Sequence, residues 1–406
     1  MKYNYKKDAL KSLSVGPFLG EVKNRNKKIE AASNEMPVSE FNANVLARKL
    51  HPSVQYATVS KVVDHGSAKS FILVPNKELG TTALAYFRAG QYVSVKLNID
   101  GAILGKPYSI RSNPKDALGD ENTSYTLTIK KNANGYASDY ILNNWQVGSQ
   151  VTLSGPLGEF YYERLRDAKT VIGLAGGSGI TPFYSLASAI ADGIENLNLT
   201  ILYGSRTSRD ILLKEELDAV AERSNGKVKV VHVLSDEKLE GYENGFITAE
   251  IIKKYVPEGD YSVFMCGPRG MYQFEDGELA KLGLKRRRIR KELFGEYGLP
   301  SQDQSYPLGQ AVETYKLKVI VCNKEYNIEC KSNKTLLVTM EKAGISAPSH
   351  CRSGECGWCH SKLNAGEVFV PEMVDGVRLA DKKFGWIHPC CSYPLSDIIL
   401  EVPPAK

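Results

Sequence analysis

Cys351, Cys356 and Cys359 stand in the run His350-Cys-Arg-Ser-Gly-Glu-Cys-Gly-Trp-Cys-His360, and the adjacent pair Cys390-Cys391 follows after a long gap. C-x4-C-x2-C with a distant fourth thiol is the spacing by which four thiolates hold a two-iron, two-sulfide cluster. The intervening Ser353, Gly354 and Gly357 are small. Backbone can therefore fold closely around an inorganic core and aim N–H groups at its sulfurs. A zinc site is the competing reading. Structural zinc usually takes two short cysteine knuckles, and this chain has one triplet and a remote partner. Such a cluster carries one electron at a time, so something in the chain or outside it must fill it and something must empty it.

The 406 residues suffice for two to four domains. With 42% hydrophobic and 24% charged residues, the composition is that of a soluble globular protein. No apolar run approaches the ~18 residues that span a bilayer. The N-terminal MKYNYKKDALKSL is basic but lacks the apolar stretch of a signal peptide. Five of eight cysteines crowd the C-terminal part. Without an export signal this favours metal ligation over disulfides, and a cytoplasmic location is expected. The net charge of +6 is mild, and its densest cluster is Lys285-Arg-Arg-Arg-Ile-Arg-Lys291. A solvated helix end or loop is expected there, with a phosphate or acidic partner as the sharper alternative. The cluster has no interleaved aromatics, which argues against nucleic acid.

The pattern along the chain divides it into parts. Residues 1–52 form a polar, Lys- and Asn-rich extension of unassigned role. One helix is expected in it, from Ser39 to Leu50, with Phe41, Val45 and Leu46 on one face and Pro52 ending it. Residues 53–163 carry short alternating runs (YATVSKVV, KSFILV, QYVSVKL, YTLTIK, SQVTLSG), which predict an antiparallel β-barrel of about six strands. Residues 164–297 alternate strand and helix patterns, which predicts an α/β domain with a parallel sheet covered on both faces. A polar, turn-rich stretch at 298–314 has the character of a linker. Residues 315–406 form a small α+β domain: a hairpin from KLKVIVCNKEYNIEC, a helix, the cysteine loop and a last strand, DIILEV. Cys322 and Cys330 on that hairpin are expected to be core residues.

Three further motifs carry chemistry. Gly173-Leu-Ala-Gly-Gly-Ser-Gly-Ile-Thr-Pro182 follows an apolar strand and opens a helix, so its N–H groups and the helix N-terminus suit the pyrophosphate of a nicotinamide dinucleotide. Lys106-Pro-Tyr-Ser-Ile-Arg111 supplies what a flavin needs. Tyr108 can pack on the ring system, Ser109 can hydrogen-bond near its N5, and a cation can meet its phosphate. Met265-Cys-Gly-Pro268 ends a parallel strand, where ligands bind. The small Cys266 thiol there lets a nicotinamide ring approach.

With these motifs in hand, residues 56–296 resemble the ferredoxin–NADP reductase superfamily, and residues 315–406 resemble plant-type ferredoxins. In this order they resemble the single-chain reductases of ring-hydroxylating oxygenases and related electron-transfer systems, over about 330 residues. The resemblance implies a β-grasp fold for the last domain. It carries the family's R-x-Y-S flavin motif onto Lys106, Tyr108 and Ser109, with Ile110 following. Lys in place of Arg keeps the charge but loses the two-pronged fork. The family's flavin-phosphate segment falls on Gly135-Tyr136-Ala-Ser138. Its nicotinamide loop falls on Gly176, Gly177, Gly179, Thr181 and Pro182, and its Cys-Gly-Pro on Cys266, Gly267 and Pro268. Its terminal Glu-x-Phe falls on Glu292 and Phe294, which places an aromatic ring near the flavin. The ferredoxin pattern, aligned through Gly385 and Pro394, selects Cys390 over Cys391 as fourth ligand beside Cys351, Cys356 and Cys359. FAD is favoured over FMN. The donor is NADH or NADPH, and Arg206 is the residue that could meet a 2′-phosphate.

The implied activity is an NAD(P)H oxidoreductase: hydride passes to the flavin, and single electrons leave through the 2Fe–2S cluster to a separate acceptor protein such as an oxygenase. Tyr108, Ser109, Cys266, Glu292 and Phe294 are the residues expected at the reacting rings. A general NAD(P)H diaphorase or respiratory subunit would share every motif, and saturable stimulation by one protein acceptor separates it. A redox-sensing binding module would turn over slowly even with artificial acceptors.

Overall fold

A computed structural model describes residues 15–31, 41–119, 121–132, 135–256 and 258–404. The chain divides after Ala47 into two compact units. The first holds helix α1 (Val15–Glu30) and most of α2 (Asn42–Leu50). Helix α2 begins near the expected start, although Ser39, the expected cap, lies outside the described residues. It buries none of its residues; Phe41, Val45 and Leu46 are all exposed. Helix α1 has no counterpart in the sequence reading. Its Lys, Glu and Arg residues favour helix intrinsically, but Gly16, Pro17 and Gly20 interrupt the apolar spacing of Val15, Phe18, Leu19 and Val22, so the sequence does not announce it.

The second unit opens with a six-stranded antiparallel sheet: β1 (Gln55–Asp64), β2 (Ala68–Pro75), β3 (Tyr92–Ile99), β4 (Ala102–Ser109), β5 (Tyr125–Lys130) and β6 (Gln150–Leu153), in the order β4-β3-β6-β1-β2-β5. A hydrogen bond from Arg111 N–H to the Thr126 carbonyl (2.8 Å) ties the β4 end back toward β5 and curls the sheet into a half-barrel. Its inward side chains, among them Val59, Phe71, Leu73, Val93, Val95 and Leu127, form one core. The flavin motif lies on β4 itself, paired with β3 so that Tyr108 faces Val93 and Ser109 faces Tyr92. Helix α3 (Tyr136–Asn144) interrupts the strands after β5.

A parallel sheet follows, ordered β10-β9-β8-β7-β11-β12, from β7 (Thr170–Gly176), β8 (Asn198–Ser205), β9 (Val228–Leu234), β10 (Glu243–Asn244), β11 (Tyr261–Cys266) and β12 (Ile289–Glu292). Its helices are α4 (Ile180–Ala191), α5 (Lys214–Arg223), α6 (Ala249–Tyr255) and α7 (Arg269–Ala280). Helix α4 is buried on almost every face because it lies between this sheet and the half-barrel. Ser185 Oγ donates to the Ser112 carbonyl at 2.8 Å, and Asn113 Nδ2 to the Ser188 carbonyl at 3.0 Å. The basic cluster is neither a helix end nor a free loop. It forms a short turn at Arg286–Arg288 and then edge strand β12. Arg290 pairs with buried Asp167 at 3.0 Å, Arg288 pairs with Asp260, and Lys291 with Asp276. Three of its six basic side chains are thus paired with carboxylates of this chain.

The last part has a five-stranded sheet ordered β14-β13-β19-β15-β17, made of β13 (Thr314–Val321), β14 (Lys324–Lys331), β15 (Ser361–Ala365), β17 (Trp386–Ile387) and β19 (Ile398–Val402), with β13 and β19 parallel. A small ribbon joins β16 (Val368–Phe369) to β18 (Tyr393–Pro394), and the helices are α8 (Leu336–Lys342) and α9 (Leu379–Lys383). A hairpin and helix packed on a mixed sheet is the β-grasp arrangement. Cys330 is buried as expected. Cys322 is not: it occupies the exposed β13–β14 turn with φ 53°. The segment leading into this part is no slack tether. Tyr297, Pro300 and Tyr306 are buried. Tyr306 donates to the Ser332 carbonyl (2.9 Å), Tyr393 donates to the Gly298 carbonyl (3.0 Å), and the Arg269 guanidinium lies 3.3 Å from the Tyr297 ring centre.

Candidate functional site

A groove of about 1660 Å³ runs between the half-barrel and the carboxyl ends of the parallel strands. Strand β4 lends it Lys106, Tyr108 and Ser109; the start of α3 lends Gly135, Tyr136 and Ser138; the β7–α4 turn lends Gly176, Gly177, Gly179 and Thr181. Cys266, Gly267 and Pro268 close it from β11, Phe294 from beyond β12, and Arg206 from the end of β8. Residues from well-separated stretches of sequence therefore meet in one cleft, where open α/β sheets bind ligands. Ile110 and Pro182 do not face it: Ile110 is in the half-barrel core and Pro182 is buried in the first turn of α4. Glu292 lies on the other side, in a second cavity of about 940 Å³ shared with Cys351, Cys356 and Trp358.

The glycine turn fits a dinucleotide for a steric reason. A Cβ on Gly179 would stand 2.1 Å from the Cys266 carbonyl oxygen, and one on Gly176 would stand 2.7 Å from Pro268 Cδ. Gly177 adopts φ 52° with its Cβ position open toward the cleft. The β7 and β11 turns are thus in backbone contact, leaving N–H groups rather than side chains to meet an anion. At α3, Gly135 is the N-cap and makes no side-chain cap bond, which leaves that helix end available to a phosphate.

The rings near the reacting position are fixed by packing. Tyr92 and Phe294 meet edge to face at 5.0 Å. Burial pushes the Cys266 thiol well up, so it stays neutral and acts as a small apolar neighbour. Burial likewise pushes the Glu292 carboxyl well above its ordinary range. Glu275 on α7, 1% exposed with Oε2 unpartnered, also borders the groove. Burial, then Glu278 and Asp276, push it up to about 8. The neutral carboxyl contributes stability that is fully present below about 4.5 and is lost as pH rises through about 8, on the order of several kcal/mol. Glu275→Gln is expected to flatten that loss and to raise the melting temperature at pH 9 by about 4 °C or more, with little change at pH 4.5, in thermal melts at the two pH values.

Sequence reasoning missed a polar network at the groove floor. Lys106 Nζ pairs with Glu296 Oε1 at 3.0 Å, and Arg352, from the cysteine loop, pairs with Glu296 and with Glu341. Burial alone would raise Glu296; Arg352 and Lys106 outweigh it and hold the carboxyl lowered to about 2. No motif marks Glu296 or Glu341, and contact between remote segments is the only signal that finds them. Phe246 and Phe274, 5.3 Å apart on the groove wall, escaped notice for the same reason.

The cysteines arrange as a binuclear centre requires. Cys356 N–H donates to Cys351 Sγ at 3.4 Å, and Cys359 Sγ lies 3.4 Å from Cys390 Sγ. That gives two thiol pairs, one for each iron. Cys391 Sγ turns away and donates to the His388 carbonyl at 3.4 Å, packed under Gly354. Ser353 N–H also points at Cys351 Sγ, at 3.5 Å. The residues present therefore fit a 2Fe–2S cluster, and the groove fits a flavin and a dinucleotide.

A flavin cleft, a dinucleotide turn and a thiolate cage on one chain define an NAD(P)H-dependent flavo-iron–sulfur oxidoreductase. Family models agree in order along the sequence: an oxidoreductase FAD-binding domain over residues 76–162, an oxidoreductase NAD-binding domain over 174–276, and a 2Fe–2S iron–sulfur cluster binding domain over 319–395. The glycine betaine monooxygenase reductase subunit of Chromohalobacter salexigens is 29% identical over 330 residues, covering 78% of this chain and 88% of that protein. NADH-cytochrome b5 reductase 1 of Lodderomyces elongisporus is 33% identical over 239 residues, 57% of this chain and 75% of that one. The solved structure of phthalate dioxygenase reductase shares the fold, with TM-score 0.61, 22% identity and coverage of 86% and 98%. The chain belongs to the ferredoxin–NADP reductase superfamily, as a member fused to a C-terminal plant-type 2Fe–2S domain. Its cofactors are FAD, a 2Fe–2S cluster and NAD(P)H.

Proposed function

We propose that this chain is the reductase component of an oxygenase system and hands single electrons to a separate oxygenase. The observation that carries the reading is the two-sided setting of the cysteine loop. On its inner side Cys351 is buried, its carbonyl accepts from Gly295 N–H at 3.2 Å, and Arg352 reaches the Gly105 carbonyl on the flavin strand at 3.1 Å. Cys356 and Trp358 are exposed, Trp358 by 51%, where the second cavity beside Tyr92 and Glu292 opens to solvent. Electrons can enter from the flavin side and leave at the surface. Two of the relatives named above are reductases of oxygenases. Among the described residues no helix is long and apolar enough to cross a membrane. Four thiols kept for iron suit the reducing cytoplasm, where we place the chain.

Bound FAD supplies the change from two-electron to one-electron transfer, and the cluster supplies one-electron carriage. The protein's part is binding and orientation. Lys106, Tyr108 and Ser109 on β4 and Gly135, Tyr136 and Ser138 at α3 hold the flavin, with Ile110 fixing the strand end in the core. Gly176, Gly177, Gly179, Thr181 and Pro182 seat the dinucleotide phosphates. Cys266, Gly267 and Pro268 leave room for the nicotinamide, and Phe294 shields the flavin ring, supported through Tyr92. Glu292 acts from behind, against Gly158 and Tyr92. Cys351, Cys356, Cys359 and Cys390 hold the irons. Residues 53–163, 164–297 and 315–406 are the corresponding domains, with 298–314 between them.

Arg206 decides the donor. Its Nε is paired with Asp236 at 3.0 Å, and Glu237 accepts from the neighbouring Ser208 N–H at 2.6 Å. A 2′-phosphate would have to displace carboxylates from both positions. Arg206 and Asp236 are both exposed, so the pair is weak and the preference for NADH is not exclusive. Anaerobic stopped-flow reduction by each nucleotide measures it; faster reduction by NADPH refutes the assignment. Cytochrome or oxygenase reduction that saturates with one protein acceptor supports the partner reading, and equal rates with every acceptor would argue for a diaphorase.

A further inference from the structure

Four charged side chains from three parts of the fold meet where the cysteine loop lies on the flavin strand. Arg352 is 1% exposed and adopts φ 61°, a conformation that turns its side chain inward from the loop between Cys351 and Cys356. It makes a two-pronged pair with Glu341 of α8 (2.5 and 2.7 Å), bonds Glu296 through Nε (2.6 Å), and reaches the Gly105 carbonyl of β4 at 3.1 Å. Glu296, just beyond β12, also takes Lys106 of β4, at 3.0 Å on Oε1, the oxygen that Arg352 Nε meets, and at 3.3 Å on Oε2. Two cations and two anions balance, and each arginine nitrogen has a carboxylate or carbonyl. Such a pair is costly to break from one side, because a buried charge is left alone.

We propose that Arg352 and Glu296 form an ionic latch that holds the cluster-bearing domain against the flavin strand and so fixes the distance across which electrons pass. Arg352 is a positioning residue here, not a catalytic one. The latch also explains why the segment after β12 is packed: Gly295 N–H to Cys351 carbonyl, and Tyr297 under Arg269, continue the same seam. Lys106, which also lines the groove, thereby joins this seam to the cleft. The proposal rests on the reading of the groove as the flavin site. The spectrum of the purified wild type tests that reading separately, since a preparation with neither flavin nor cluster bands defeats it before any variant is made.

The test uses the holoprotein with Glu296→Gln; because Glu296 contacts Lys106 in the groove, flavin content is measured first and rates are taken per bound flavin. Two readouts are taken. In hydrogen exchange of the oxidised protein without NADH, peptides covering 295–300 and 345–356 are expected to exchange about tenfold faster than in the wild type. In anaerobic stopped flow, flavin reduction by NADH stays within about twofold while the later cluster-reduction phase slows about tenfold, as the docked fraction falls. That slow phase becomes viscosity-dependent, because the domain must dock again before each transfer. A purely structural role would lower stability without making transfer viscosity-dependent. Arg352→Gln should show the same pattern more strongly, and Arg352→Lys should restore part of the rate. If Arg352→Gln fails to assemble its cluster, Glu296→Gln decides alone. Wild-type exchange and a wild-type, viscosity-independent cluster phase in Glu296→Gln overturn the latch.

Discussion

Cys390→Ser is expected to yield a chain with flavin but without the visible absorption and low-temperature paramagnetic signal of a 2Fe–2S centre, and with iron content near zero. Delivery to a protein acceptor falls by about 100-fold or more, while ferricyanide reduction at the flavin persists. Cys391→Ser keeps its cluster. The two residues are equally buried, each 1% exposed, so burial does not separate them. Direction does: Cys390 Sγ meets Cys359 Sγ at 3.4 Å, and Cys391 Sγ faces the His388 carbonyl. A hydroxyl at 391 can make that same hydrogen bond. Iron assay and visible spectra of the two variants settle the matter, and loss of the cluster in Cys391→Ser alone reverses the assignment.

Gly179→Ala is expected to cost about 3 kcal/mol, felt as an approximately 100-fold weaker grip on NADH. The added Cβ would lie 2.1, 2.4 and 2.7 Å from the Cys266 oxygen, Cys266 carbon and Gly267 nitrogen, all backbone. No rotamer can relieve that. The β7–α4 turn must part from the end of β11, the two segments between which the dinucleotide is seated. Gly277→Ala, inside α7 with open space at its Cβ position, is the control. It should be neutral or stabilise by about 0.5–1 kcal/mol. Titration of NADH onto each oxidised variant reads the difference, and a Gly179→Ala protein binding as tightly as Gly277→Ala would rule out the steric account.

Much of this site can be read in the sequence because its chemistry is local. Three thiols within nine residues, three glycines in four positions after an apolar strand, and Tyr108-Ser109 beside a cation each signal function within a single turn or strand. The β-strands of the half-barrel announce themselves by alternation, and the parallel strands by unbroken apolar runs. What escaped detection lacks such a signature. Strand β12 hides within a run of arginines, because the charge of its Arg290 is neutralised by buried Asp167, remote in sequence. Helix α1 carries Gly16, Pro17 and Gly20 in its first turns, and these breakers hide its apolar spacing.

The sequence alone determined the classes of cofactor (a flavin, a nicotinamide dinucleotide and a 2Fe–2S cluster) and their order along the chain, since ligand spacing and turn chemistry are set by a few neighbouring residues. Only the tertiary structure showed that Glu292 borders a second cavity and is not among the groove's lining, and that Lys106 shares a carboxylate with Arg352; to the choice of Cys390 that the resemblance implies it added the approach of Cys390 to Cys359. Those facts depend on backbone direction and on contacts between segments about 50 to 250 residues apart, such as Arg352 with Glu296 and with Gly105. No local pattern encodes them, because burial and charge pairing are satisfied only once the whole chain has folded.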